Sequence, residues 1–499
     1  MVTNSSPKRL GSGFRLRGPT PQSKMSVRNP PRLLNLAGMS LLKDEALAIS
    51  ALEFLPTELF PALFMKAFYG NHSETLKAMV QAWPFVRLPL GGLMQVLHVG
   101  ALQAVLEGLD VLLAQKVHPR RCKLRVLDLR NTSQDFWSMW SGARVPMSSR
   151  TLMAPVAGDR SKTEHPLAPM EIFVDLCLSK KTLDGFFSYF MSWVEERTLS
   201  IHLCCKKLRI LSIDKENIQV LRMVRLDCIQ ELEVNCTWPL STLATFAPLL
   251  GQMRNTQRFL LSHVHISALE EKEQHFLLIT SQFLKLQQLR DLHMESPTFL
   301  EGCLEQMLRC LTSPLENLAI TNCLITESDL TQLSRCPSIS QLKGLDLSGV
   351  TMTDFGPDVL QGLLEKVTAT LQELYLEKCG ITDSQLETIL PVLSRCSELT
   401  SFSMRGNRLS MAIMEKVLGC TTGLPNLCQE LYPPPRESYS SQGALHPGRL
   451  AQVRVELLEI LRVLGRPRVI WICYSPCPHC GDDTFNRPVK TPKCFLANY

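Results

Sequence analysis

An α/β fold of stacked strand-and-helix units is what this 499-residue sequence predicts, on three observations. A pattern of the form L-x-x-L-x-L-x-x-N/C-x-L recurs through the second half at a steady period. Helical apolar spacing fills the stretches between its copies. A helix-rich segment without the strand signature precedes them. Together these define a leucine-rich-repeat solenoid, a curved horseshoe of repeats of about 28 residues with an N-terminal helical cap.

The clearest copies are Leu315, Leu318, Ile320, Cys323 and Ile325; Leu371, Leu374, Leu376, Cys379 and Ile381; and Leu399, Phe402, Met404, Asn407 and Leu409. A degenerate copy, Leu342, Leu345, Leu347, Val350 and Met352, lies between the first two. Their central apolar positions are 27, 29 and 28 residues apart. Each L-x-L is a short strand, because alternate side chains of a strand point to opposite faces and the leucines share one. The Asn or Cys turns inward where the strand ends and meets backbone groups there. Residues 358–367 and 384–396 carry the spacing of the helices that bring the chain back.

Weaker copies lie at Leu124, Leu127, Leu129; Leu208, Leu211, Ile213; Ile229, Leu232, Val234; around Phe259; and at Leu289, Leu292, Met294. Downstream, residues 427–432, the helix-like 450–464 and the strand-like 469–472 continue the order. The expected organisation is a basic disordered extension (1–24), the helical cap (25–120), the solenoid (121–472) and a Cys-rich tail (473–499). Two Pro/Ser/Gly-containing stretches of little periodicity, 132–168 and 433–448, read as surface loops or disordered insertions.

The composition, 45% apolar and 20% charged, is that of a globular chain. Net charge is +6, yet residues 1–32 hold seven Lys and Arg and no acid, so the remaining body sums to −1. A nucleic-acid-binding domain needs its positive charge on folded surface, so nucleic acid is not the expected main partner. No apolar stretch of about 7–15 residues follows the basic N-terminus, as a secretory signal would require. The most apolar window, 91–114, is broken by Gln95, His98, Gln103, Glu107 and Asp110, which would be costly in hydrocarbon. Eighteen cysteines scattered through apolar segments read as reduced thiols. A cytoplasmic protein, also entering the nucleus, is the expectation, without membrane contact.

The run Pro30-Pro31-Arg32-Leu33-Leu34, then LAGMSLLKDEALAISALEFLPTELFPALFMKAF at 36–68 and SETLKAMVQAWPFVRLPLGGLM at 73–94, closely resembles the start of the PRAME (preferentially expressed antigen in melanoma) family. SPCPHCGDDTF at 475–485 resembles that family's ending, so the resemblance covers about residues 25–499. It implies a leucine-rich-repeat horseshoe serving as substrate-recognition subunit of a cullin-2 ubiquitin ligase through elongin B/C. It also implies repression of transcription and differentiation, notably of retinoic-acid signalling, with restraint of apoptosis and promotion of proliferation.

Leu55-Pro56-Thr57-Glu58-Leu59-Phe60-Pro61-Ala62-Leu63 fits the cullin-2 box, apolar-Pro-x-x-apolar-x-x-x-apolar. Pro56 would start a helix, and Leu55, Leu59 and Leu63 would offer apolar groups to a partner groove. An ordinary buried helix with Pro at its start satisfies the same pattern, and exposure of Pro56, Leu59 and Leu63 separates the two. Residues 40–50 stand where an elongin-contacting helix belongs, but with Leu42 as anchor, Ala46 replaces the usual Cys and Ser50 an apolar residue. Two LxxLL strings, 109–113 and 360–364, are of the kind that docks into nuclear-receptor grooves, although a leucine-rich solenoid also produces them by chance.

Cys473, Cys477, His479, Cys480 and Cys494 are enough soft ligands for a zinc site, weighed against a capping tail with free thiols because paired-knuckle spacing is absent. No phosphate-binding Gly-rich loop, nucleophile elbow or paired metal-binding His is present, and His263-x-His265 has no third ligand nearby. No catalytic residues and no cofactor are expected.

Side chains alternating with the strand leucines would project into the concavity. They are Asp291, His293, Glu295; Asn317, Ala319, Thr321; Gly344, Asp346, Ser348; Glu373, Tyr375, Glu377; and Ser401, Ser403, Arg405. Five acids and one Arg favour a basic protein segment, although a solvated strand face also carries polar residues. The expectation is a non-enzymatic adaptor, or alternatively a corepressor-type scaffold that binds nuclear factors without a ligase.

Overall fold

The computed structural model describes residues 33–94, 98–115, 119–131, 136–137, 139, 170–179, 185–212, 215–266, 272–465 and 469–473. The 1–24 extension, nearly all of the 132–168 stretch and the tail after Cys473 lie outside the described residues.

Fourteen strands among these residues form one open parallel sheet. The first half holds β1 (Arg87–Leu88), β2 (Val126–Asp128), β3 (Met170–Leu178), β4 (Ile201–Ile210), β5 (Val224–Arg225), β6 (Glu231–Pro239) and β7 (Arg258–His265). The second half holds β8 (Asp291–Glu295), β9 (Asn317–Thr321), β10 (Gly344–Asp346), β11 (Glu373–Tyr375), β12 (Ser401–Ser403), β13 (Gln429–Tyr432) and β14 (Ile470–Ile472). Spatial order follows chain order except that β5 leaves the path to pair β4. Parallel neighbours require a crossover, and helices such as Pro357–Val367, Asp383–Leu393 and Met411–Thr421 supply it.

The period read in the sequence is the register of this sheet. Leu318 lies opposite Leu345, Leu345 opposite Leu374 and Leu374 opposite Phe402. All four are buried, and the flanking helices bury Leu330, Leu363, Leu386 and Met414 against the same core. Thr326 and Thr382 start their helices with capping boxes, each hydroxyl accepting from the backbone N–H three residues on. Gln385 then donates to the carbonyls of Met352 and Phe355, both at 2.8 Å, so the cap of one unit also fastens the unit before it.

Five short helices form the cap: α1 (Leu33–Leu41), α2 (Glu45–Ala51), α3 (Phe60–Tyr69), α4 (Ser73–Gln81) and α5 (Val99–Ala114). Phe64 meets Trp83 at 5.1 Å and Trp137 at 5.8 Å between ring centroids. Asp110 on α5 receives Arg197 Nε at 2.6 Å and Trp193 Nε1 at 2.8 Å, which ties the cap to the strand-bearing part.

Several expectations are corrected. The cap is not wholly helical, because β1 lies inside it and pairs with β2. β3 carries no repeat signature in the sequence, yet its alternate residues Ile172, Val174, Leu176 and Leu178 are buried. At β4 the repeat frame is shifted: Leu208 lies opposite Leu176 and Leu232, so it holds the central position and Leu211 is 40% exposed. Of the two alternatives for residues 433–448 the structure has the loop and not a disordered insertion, with Pro433–Pro435 buried, a 3-10 turn at Arg436–Ser438 and an antiparallel bridge between Tyr439 and Leu445. Glu430 takes the place in the leucine line opposite Phe402, 2% exposed, and accepts from Thr421 Oγ1 at 3.1 Å and Tyr432 Oη at 2.8 Å. Among the described residues no helix is long and apolar enough to cross a membrane.

Candidate functional site: the open face of the sheet and the helical cap

Along β8–β11 the leucines turn into the core, and the residues between them stand on the opposite, open face of the sheet. Asp291, His293, Glu295, Asp346, Tyr375 and Glu377 are half-buried there and Glu373 is exposed. The face closes at β12, where Ser401 and Ser403 are buried instead of projecting from it.

The carboxylates differ in what holds them. Asp291 accepts from Asn317 Nδ2 at 2.6 Å and from Arg258 Nε at 3.2 Å. Glu377 accepts from Ser403 Oγ at 2.6 Å and pairs with Arg405 Nη2 at 2.7 Å, so Arg405 is committed within the protein. Glu295 has the Ser262 hydroxyl at 3.2 Å, Glu373 the Tyr375 hydroxyl at 3.4 Å, and Asp346 the backbone N–H of Ser348 at 2.9 Å. Among the described residues no Lys or Arg lies within ion-pair distance of these three. Burial pushes the Asp346 carboxyl above the usual carboxylate range, against the pull of Ser348, and the charge of Glu377 adds to the rise. Burial likewise lowers His293, against the charges of Asp346 and Glu295, and raises Tyr375.

A depression of about 280 Å³ opens among these groups. Ala319 and Gly344 leave its floor low, because neither carries more than a methyl group, while Asp291, Asp346, Glu373 and Tyr375 form its walls. Arg258, which also lines the depression, is paired with Asp291, whereas Asp346 and Glu373 have no cationic partner and, beside the Tyr375 ring, are suited to a cationic side chain.

The cap departs from the box expected of it. Pro56 does not begin an α-helix; it precedes a 3-10 turn, Thr57–Leu59, and α3 starts at Phe60 with Pro61 in its first turn. Pro56 is exposed, Leu55 and Leu59 are half-buried, and Leu63 is 5% exposed in the core. Leu63 therefore offers no docking group, because the amphipathic face that carries it packs inward with Phe60, Phe64 and Ala67. Leu42, the expected elongin anchor, is buried as well. What the cap does expose are apolar groups the sequence did not single out: Leu33, Leu36 and Met39 on α1, Leu47 on α2, and Phe54 at 82%. Arg121 holds the segment after α2 by donating to the carbonyls of Leu52, Glu53 and Leu55, with its guanidinium 5.1 Å from the Phe60 ring centroid. A cation at a helix C-terminus that satisfies its last carbonyls is a favourable arrangement.

Both LxxLL strings lie on helices whose leucines face the core: Leu109 and Leu112 in α5, and Leu360, Leu363 and Leu364 in Pro357–Val367, are buried. Of the candidate zinc ligands only Cys473 is described, and it is buried; the other four lie outside the described residues. Among the described residues no three His, Cys, Asp or Glu side chains gather as metal ligands would.

The arrangement is that of an α/β repeat protein, with an open polar face on its sheet and a helical cap that presents apolar side chains. Models of the PRAME N-terminal domain and the PRAME C-terminal domain match residues 30–137 and 170–495. The chain belongs to the PRAME family. It is 53% identical to human PRAME family member 8 over 461 residues, 92% of this chain and 97% of that one. It is 52% identical to human PRAME family member 7 over the same shares, and 44% identical to human PRAME family member 19 over 92% and 96%.

Proposed function

We propose that this chain is a non-enzymatic leucine-rich-repeat adaptor whose concave face receives a basic segment of a protein substrate, and whose cap recruits a cullin-2 RING ligase through elongin B/C. The observation that carries the first half is the depression between β8 and β11, where Asp346 and Glu373 stand without a cationic partner beside Tyr375. Asp291, Glu295 and Glu377 surround it, and Arg405 acts only by holding Glu377. Family membership supports the second half, with the docking surface moved to Leu47, Phe54, Pro56 and Leu59 because Leu63 is in the core. Ubiquitin transfer would be catalysed by the partners. In this reading the protein acts in cytoplasm and nucleus, and repression of transcription, differentiation and apoptosis follows from removal of its substrates.

The burial of Leu42 and Leu63 favours a second reading, a corepressor-type scaffold that binds nuclear factors without a ligase. Affinity purification of the full chain beside Phe54→Asp/Leu59→Asp and Asp346→Lys/Glu373→Lys separates the two. Elongin B, elongin C and cullin-2 retained by the wild type and by the open-face variant, but lost from an equally folded cap variant, support the adaptor. Their absence from all three preparations removes the ligase and leaves the scaffold.

A further inference from the structure

Beside β4 the regular stacking of strands lapses. β4 is ten residues long, but β6 pairs only with its second half, from Lys207 to Ile210. The two residues of β5 stand beside the first half, Val224 opposite Leu203 and Arg225 opposite Cys204. The outer edge of β5 has no strand partner among the described residues. Along this lapse lie two depressions of about 880 and about 770 Å³ that share Arg222, Val224 and Arg225, and so form one trough.

The trough combines an apolar floor with a cationic rim. Ile218, Leu203 and Leu249 line it from below. Arg222 and Arg254 are exposed, and no carboxylate of the described residues lies within ion-pair distance of either. Of the acids that line it, Asp227 is neutralised by Arg225 at 3.0 Å, while Glu195 accepts from the Gln219 amide at 2.9 Å and keeps its charge, so Arg222 and Arg254 outnumber it. We propose that this trough binds an extended acidic segment of a partner protein. Arg222 and Arg254 each take a carboxylate in the planar fork geometry of guanidinium, apolar residues of the segment rest on Ile218 and Leu249, and the free edge of β5 offers main-chain hydrogen bonds. Nucleic acid fits less well, because no Phe, Tyr or Trp lines the trough, which leaves the His202 imidazole as its one ring for stacking a base, and two carboxylates stand in it. None of these residues belongs to the cap or to the strip on β8–β11, so the two surfaces stand or fall separately.

The test is fluorescence anisotropy of the full chain with a fluorescein-labelled peptide of alternating Glu and Leu, its Gln-and-Leu counterpart, and labelled oligo-dT. The expected result is saturable binding of the Glu peptide, weakened about tenfold or more by Arg222→Glu/Arg254→Glu and unchanged by Asp346→Asn/Glu373→Gln. Arg222→Ala/Arg254→Ala, checked by circular dichroism, serves as a second variant should the charge reversal disturb folding. No saturable binding by the wild type, equal affinity of the arginine variants, or equal affinity for the Gln peptide overturns the proposal. Oligo-dT that displaces the peptide and needs the same arginines overturns it in favour of nucleic acid.

Discussion

Asn407 on one repeat holds Cys379 on the repeat before it. The Asn407 Oδ1 accepts from the backbone N–H groups of Cys379 and Ile381, both at 3.1 Å, while its Nδ2 donates to the carbonyls of Leu376 and Met404 at 2.7 and 2.8 Å. Cys379 repeats the device one unit earlier, its thiol reaching the carbonyl of Leu347 at 3.2 Å. These are the inward-turned polar groups that a strand needs where its ladder ends.

Asn407→Ala leaves two buried N–H groups without an acceptor, each of which costs about 1–3 kcal/mol. The expected loss is about 2–4 kcal/mol in guanidinium unfolding, with Asn407→Asp recovering the acceptor but not the donor. A loss below about 0.5 kcal/mol shows that water reaches the site.

Leu63→Asp and Leu59→Asp should part company. The first puts a carboxylate into the core beside Phe60 and Phe64 and is expected to cost more than about 4 kcal/mol, or to abolish folding. The second, at the half-buried end of the 3-10 turn, is expected to keep the native circular dichroism and a melting temperature within a few degrees, about 1 kcal/mol of stability. Equal tolerance of both substitutions would mean that α3 presents its other face.

Arg121→Ala removes the donor shared by three carbonyls after α2. Hydrogen–deuterium exchange is expected to rise locally over residues 47–60 with little change in the strands, and Arg121→Lys to repair it only in part, since an ammonium lacks the fork. Exchange that rises throughout the chain instead would make Arg121 a global support.

The open face makes a pH prediction at Asp346, whose carboxyl burial pushes upward. A raised folded-state value means that the native chain holds the proton more tightly than the unfolded one. The contribution of this group is therefore fully present below the unfolded value near 3.8 and is lost as pH rises through the folded value. Asp346→Asn should accordingly stabilise the chain at neutral pH, and the gain should vanish as the pH is lowered toward 4. Thermal melts of both proteins across that range measure it, and a gain constant with pH would assign the effect to something other than this carboxyl.

Thiol chemistry should sort by burial. Burial pushes Cys205, Cys236, Cys323 and Cys379 up to about 12 and Cys396 to about 11, so none of them is a nucleophile near neutrality. Among the described cysteines, iodoacetamide mapping at pH 8 is expected to find Cys177 and Cys428 first, because both are exposed. Early modification of Cys379 would show that its repeat opens.

The second half of the fold was legible because its signal is periodic: a leucine line at 318, 345, 374 and 402 is both a sequence pattern and a sheet register. β3 was not, since plain alternation without the inward Asn or Cys does not announce a repeat. The frame at β4 slipped because Leu208 and Leu211 both satisfy a leucine template, and only the partner strand chooses between them. Of the open face, the residue types were readable from alternation alone. Which acids remain without a cation was not, because Arg258 and Arg405 reach their partners across strands 33 and 28 residues away. Of the four box residues Leu63 alone is in the core, for a similar reason: it belongs to an apolar helix whose inward side is set by Trp83 and Trp137.

Register slips between Val174 and Leu176 in β3 and between Asn235 and Trp238 in β6, whereas from β8 to β12 the pairing runs without a shift. Adding or deleting one whole unit between β9 and β12 would therefore leave every other side chain on the face it occupies now, since each unit contacts chiefly its neighbours. The same edit beside a slip would turn leucines toward solvent. The second half is thus the part of the chain whose length is adjustable, and the span of the open polar face can be lengthened or shortened in steps of one repeat without redesigning the rest.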